Sequence, residues 1–66
     1  MALKLKILNM SDRGSAATIS ESIYVMALDA KVEVDVKHQT ITVESTASEE
    51  SIKQVIVAAG YTIEGY

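Results

Sequence analysis

The chain contains no cysteine, proline, phenylalanine or tryptophan, and only three glycines and three tyrosines. Without cysteine there is no disulfide framework, zinc finger, thiolate nucleophile or iron–sulfur site. With so few aromatics there is no platform on which nucleic-acid bases could stack. Positive charge is also scarce: six basic residues stand against nine acidic ones, a formal net charge of -3. Sequence-independent nucleic-acid binding, which needs clustered lysine and arginine, is therefore not expected. No apolar run approaches the roughly 20 residues of a membrane span. The segment MALKLKIL is too short and too interrupted by lysine for a secretory signal. A cytoplasmic protein without membrane insertion is the expectation.

What is present is patterned. At 66 residues and 48% hydrophobic, the chain makes one domain, residues 1–66, and must bury nearly every apolar side chain it has. Leu3, Leu5 and Ile7 alternate with Lys4 and Lys6, the period of a half-buried strand. The turn-rich stretch 9–15 (NMSDRGS) breaks it, with Ser11 or Asp12 placed to cap a helix. Ala16, Ile19, Ile23 and Met26 recur at helical spacing, which predicts an amphipathic helix of about 13 residues with Met26 in the core.

KVEVDVK (31–37) alternates valine with charge, and TITVE (40–44) follows after a short break at His38 and Gln39. Together they read as an antiparallel hairpin. Thr46 and Glu49 match a capping box for a second helix, whose buried stripe is Ile52, Val55, Ile56 and Ala59. Gly60 ends that helix, and Tyr61, Thr62 and Ile63 begin a last strand. The expected fold is α+β: a ferredoxin-like βαββαβ sandwich, a four-stranded antiparallel sheet with both helices on one face. Its topology gathers residues 9–15, 38–39 and 60–61 at one end.

Several stretches, read together, resemble the heavy-metal-associated domain, and especially the copper chaperones of cyanobacteria. They are Met10-Ser11-Asp12-Arg13-Gly14-Ser15, Leu28-Asp29-Ala30-Lys31 running into Val32-Glu33-Val34-Asp35-Val36, Thr40-Ile41-Thr42-Val43, and Ala58-Ala59-Gly60-Tyr61. In that family the first strand leads to Met-Thr-Cys-x-x-Cys, and the resemblance sets the two cysteines on Asp12 and Ser15. Two thiolates suit a soft ion such as Cu(I), whereas carboxylate and hydroxyl are hard donors. Cu(I) binding is therefore not expected, and the resemblance implies a metal-homeostasis protein that has lost thiolate exchange. The same resemblance places Met10 beneath the loop and Tyr61 beside it, and leaves Arg13 on the loop surface. It implies a protein partner such as a metal-transporting ATPase or another chaperone-type domain, with the chain itself a monomer or weak dimer.

Other readings stay open. Asp12, Ser15 and His38 form a candidate non-thiol site for a divalent ion, Zn(II) or Cu(II), because neutral imidazole binds both. For Asp12 and Ser15 the competing reading is the start of a helix. For His38 it is a solvated turn residue. A small-molecule-binding regulatory domain shares the topology. An enzyme is not expected: beyond Arg13 and Gly14 there is no phosphate cradle and no Ser/His/Asp constellation.

Overall fold

A computed structural model describes residues 2–66 of the chain. Five elements follow in order: β1 (Ala2–Lys6), α1 (Arg13–Met26), β2 (Lys31–Asp35), β3 (Thr40–Glu44) and α2 (Glu49–Ala58). The strands lie in the order β1-β3-β2, and both neighbouring pairs are antiparallel. The alternation read from sequence sets the register. Leu5 and Val34 flank Ile41, and Leu3 and Val32 flank Val43, so the apolar residues share one face of the sheet.

That face meets the inner stripes of the helices. Ile19 and Ile23 of α1 and Ile52 and Ile56 of α2 are buried against Leu5, Ile7, Met10, Ile41, Val43 and Ile63. Every isoleucine in the chain is buried, and among the described residues no polar or charged one is. Each such side chain contributes about 1.5–3 kcal/mol. With no phenylalanine or tryptophan available, isoleucine supplies most of the interior. Lys4, Lys6, Glu33 and Asp35 occupy the exposed outer face.

Four expectations need correction. The sheet has three strands, not four. Tyr61 and Thr62 do not form a strand, and the expected fourth strand is reduced to a single antiparallel bridge, Ile7 to Ile63. Two backbone bonds flank it, Leu8 N–H to Thr62 O (2.8 Å) and Glu64 N–H to Lys6 O (2.9 Å). Glycines in the left-handed region close the segment on both sides, Gly60 at φ 96° and Gly65 at φ 78°. Tyr66 N–H then turns back onto Ile63 O, so the pairing cannot run on along β1.

The second correction is the cap of α2. Its N-cap is Ser48, whose hydroxyl accepts the Ser51 N–H. Thr46 is not available, because the Asp29 carboxylate accepts both its N–H (3.1 Å) and its hydroxyl (2.9 Å). Those two bonds, the hydroxyl first, hold the Asp29 carboxyl below its usual range.

The third is Met26, which is 36% exposed. It is the last residue of α1, and Ala27, capping that helix, takes the buried position. The fourth is the hairpin: β2 stops at Asp35, and residues 36–39 form a four-residue turn closed by Gln39 N–H to Val36 O.

The end of α2 bears directly on the site. Gly60 N–H donates to Val57 O (3.0 Å) and Tyr61 N–H to Ile56 O (3.3 Å). This pair of bonds is the Schellman arrangement, which needs a left-handed residue at Gly60. Gly60→Ala should lower stability by about 1 kcal/mol in urea unfolding, with the fold retained. An unchanged midpoint would contradict that role.

Candidate functional site

The three segments expected at one end meet there, and two amide side chains join them. Asn9 Oδ1 accepts the Thr62 N–H (2.8 Å), and its Nδ2 donates to Gly60 O (3.2 Å). Gln39 Nε2 donates to Leu8 O (2.9 Å) and Met10 O (3.1 Å). The Gln39 carbonyl also accepts the Ile7 N–H (2.7 Å). Gln39 makes these contacts from a left-handed conformation, φ 57°, which is uncommon for a residue with a side chain. Each bond satisfies a backbone group where regular pairing has ended. Under this frame Met10 is fully buried, as its family position implied, and Tyr61 is half-buried against the core.

Asp12 and Ser15, the two positions that the sequence resemblance singled out, begin α1. Asp12 is its N-cap: Oδ1 accepts the Ser15 N–H at 2.8 Å. Bonds from the Ser15 N–H and then the Ser15 hydroxyl hold the Asp12 carboxyl below its usual range. Asp12 is exposed, Ser15 is half-buried in the first turn, and Arg13 is exposed at the first helical position. The structure thus brings Asp12 and Ser15 together as a cap.

His38 lies at the same end, but its ring partner is Asp35. Nδ1 is 2.7 Å from Asp35 Oδ2, and the His38 N–H donates to Asp35 Oδ1 (3.1 Å). In the neutral ring, an Nδ1–H directed at the carboxylate leaves the lone pair on Nε2. The His38 ring and then its N–H hold the Asp35 carboxyl below its usual range. Among the described residues, no three His, Asp or Glu side chains are grouped so as to hold a metal ion. No described helix is long and apolar enough to cross a membrane.

The profile of the heavy-metal-associated domain matches residues 4–62. The chain belongs to that family. Among solved structures it is similar to the copper chaperone Atx1 from Synechocystis PCC6803, with a TM-score of 0.91 over 94% of this chain and 98% of that one. At 24% identity, that likeness shows the fold. A gold binding protein is 27% identical, with a TM-score of 0.88 over 91% of this chain and 92% of that one. Atu1203 from Agrobacterium tumefaciens is 28% identical, with a TM-score of 0.85 over 91% and 94%. No curated protein matches the chain. A member of the heavy-metal-associated family with no cysteine has the scaffold and lacks the thiolates.

Asn9 and Gln39 escaped the sequence reading as builders of this end. The one signal was their type, since amides with both donor and acceptor serve chain segments whose pairing has stopped. Asn9→Ala should raise the hydrogen-exchange rate of the Thr62 amide well above that of the β3 amides; an unchanged rate would show that Asn9 does not hold this loop.

The lowered carboxyls set an acid dependence. On acidification the unfolded chain takes up protons before the folded Asp12 and Asp35 do. Their contribution is complete above about pH 5 and is lost as pH falls through the folded values. Asn caps as well as Asp, so Asp12→Asn should flatten the fall in urea midpoint between about pH 5 and pH 2 while leaving neutral stability intact. An identical slope would contradict this.

Proposed function

We propose that this chain is a protein-interaction module of metal homeostasis that works without thiolate exchange. The observation that supports it most is the state of positions 12 and 15. Asp12 and Ser15 stand where the family resemblance puts the ligating cysteines, and both are engaged in starting α1. Carboxylate and hydroxyl are hard donors and do not suit Cu(I). Transfer of a soft ion between partners needs sulfur on both sides, so Cu(I) is not the cargo of this chain.

What the loop end still offers is a surface. Arg13, Lys37 and His38 are exposed there, above buried Met10 and half-buried Tyr61. The fitting partner is a cytoplasmic domain of a metal-transporting ATPase or of another chaperone-type protein, with charge complementarity guiding the encounter. We read the chain as a binding module and not an enzyme, because the polar groups at this end are used in caps and turns. For a borderline divalent ion the loop end supplies one imidazole, through His38 Nε2. Zn(II) and Cu(II) binding is therefore weak, with water completing the coordination.

Competition against a Cu(I) chelator tests the reading. The chain should show affinity weaker than micromolar, and the Asp12→Cys/Ser15→Cys variant should gain at least about a thousandfold. Micromolar or tighter binding by the unchanged chain would overturn the proposal. Failure of the double variant to gain affinity would overturn the equivalence of positions 12 and 15 with the family's ligands. His38→Ala should remove the residual Zn(II) affinity, and an unchanged affinity would exclude His38 as the ligand.

A further inference from the structure

The sheet has two edges, and they differ. At β1 the segment 62–64 covers the strand's end through the Ile7–Ile63 bridge. At β2 no described segment pairs with the outer side. The hydrogen-bond parity identifies which groups are open. Ile7 N–H points toward β3, donating to Gln39 O, so Leu5 and Leu3 also direct their backbone groups to Ile41 and Val43. Thr40, Thr42 and Glu44 therefore turn theirs toward Asp35, Glu33 and Lys31. That leaves the N–H and C=O of Val32 and Val34 facing outward. Their side chains are half-buried, whereas Ile41 and Val43 beside them are at 0% exposure.

Natural sheets protect an edge by keeping it short, by charged side chains, by proline or a bulge, by an inward charge or by a covering segment. Within β2 the register is unbroken, and the strand has neither proline nor inward charge. It has only the outer-face series Lys31, Glu33, Asp35, and the order of those charges selects a partner. We propose that β2 pairs antiparallel with β2 of a second copy about a two-fold axis at Glu33, joining two three-stranded sheets into one of six strands.

In that register Val32 of each copy faces Val34 of the other, and their outward N–H and C=O groups exchange bonds. On the outer face Lys31 of each copy meets Asp35 of the other, at both ends of the contact. The central Glu33 pair is the one like-charge meeting, and it keeps the association weak and reversible. Centring on Val34 would oppose Lys31 to Lys37 and Glu33 to Asp35. Centring on Val32 would set Val34 against Ala30, whose N–H is already given to Ala27 O. The charges disfavour the register centred on Val34; in the one centred on Val32 Lys31 would meet Glu33, and it is the bonded Ala30 N–H that disfavours it. The contact involves no metal, although its Asp35 also holds the His38 N–H and ring in the hairpin turn.

Sedimentation velocity over a concentration series up to about 1 mM tests this, with amide spectra recorded on the same samples. The mass should rise from 7.1 kDa toward its double, and the concentration-dependent shifts should centre on residues 31–35. Glu33→Gln should tighten association about two- to fivefold, and Lys31→Asp should weaken it at least about tenfold. Adding Asp35→Lys to Lys31→Asp restores opposite charges and should recover dimerisation. A monomer across the series in both the unchanged chain and Glu33→Gln would overturn the proposal. So would shifts centred on the exposed Val25 and Leu28, or association indifferent to Lys31→Asp.

Discussion

The loop end depends on backbone groups that no strand or helix satisfies, and two amides meet that need. Where β1 gives out, the carbonyls of Leu8 and Met10 take their donors from Gln39. Where α2 gives out, Gly60 O and Thr62 N–H find theirs in Asn9. Without these bonds the groups would turn to water, and the three segments would lose what ties them together. With them, three segments far apart in sequence form one frame over Met10 and Ile7. The frame holds the start of α1, and with it Asp12 and Ser15, without requiring a bound ion.

This separates the scaffold from its chemistry. The features that make this scaffold are matters of packing and turn geometry: alternating strands, isoleucine stripes, and the Gly60 turn after α2. None of them involves the ligating pair. The start of α1 is well capped without sulfur, since Asp12 at the N-cap accepts the Ser15 N–H. Fold similarity to copper chaperones therefore says little about soft-metal affinity in this chain, and the donor atoms decide it.

Periodicity exposed most of the fold in advance. The Leu3–Ile7 and Val32–Val34 alternations and the Ile19/Ile23 and Ile52/Ile56 spacings each report burial on one face, so β1, β2, α1 and α2 could be read locally. What was not legible depended on distant partners. Thr46 looked like a cap until Asp29, far back in the chain, claimed both of its donors. The segment 61–63 looked like a strand, but a ladder needs room on its neighbour, and Gly60 and Gly65 bend the chain too soon. His38 looked like a possible companion to Asp12, and its nearer neighbour Asp35 engages it instead. At the site, Met10, Asp12 and Ser15 were placed by position relative to α1. The clamps at Asn9 and Gln39 required the hairpin and the last turn to be brought together.

The central claim is that the loop end is held in place by the protein alone. Backbone ¹⁵N relaxation of the metal-free chain tests it most directly. Order parameters for residues 8–15 and 60–62 should match those of β3, near 0.85, the value of rigid backbone. Values below about 0.6 over the same residues in the metal-free chain would contradict it and show that this end awaits a partner or an ion to become ordered.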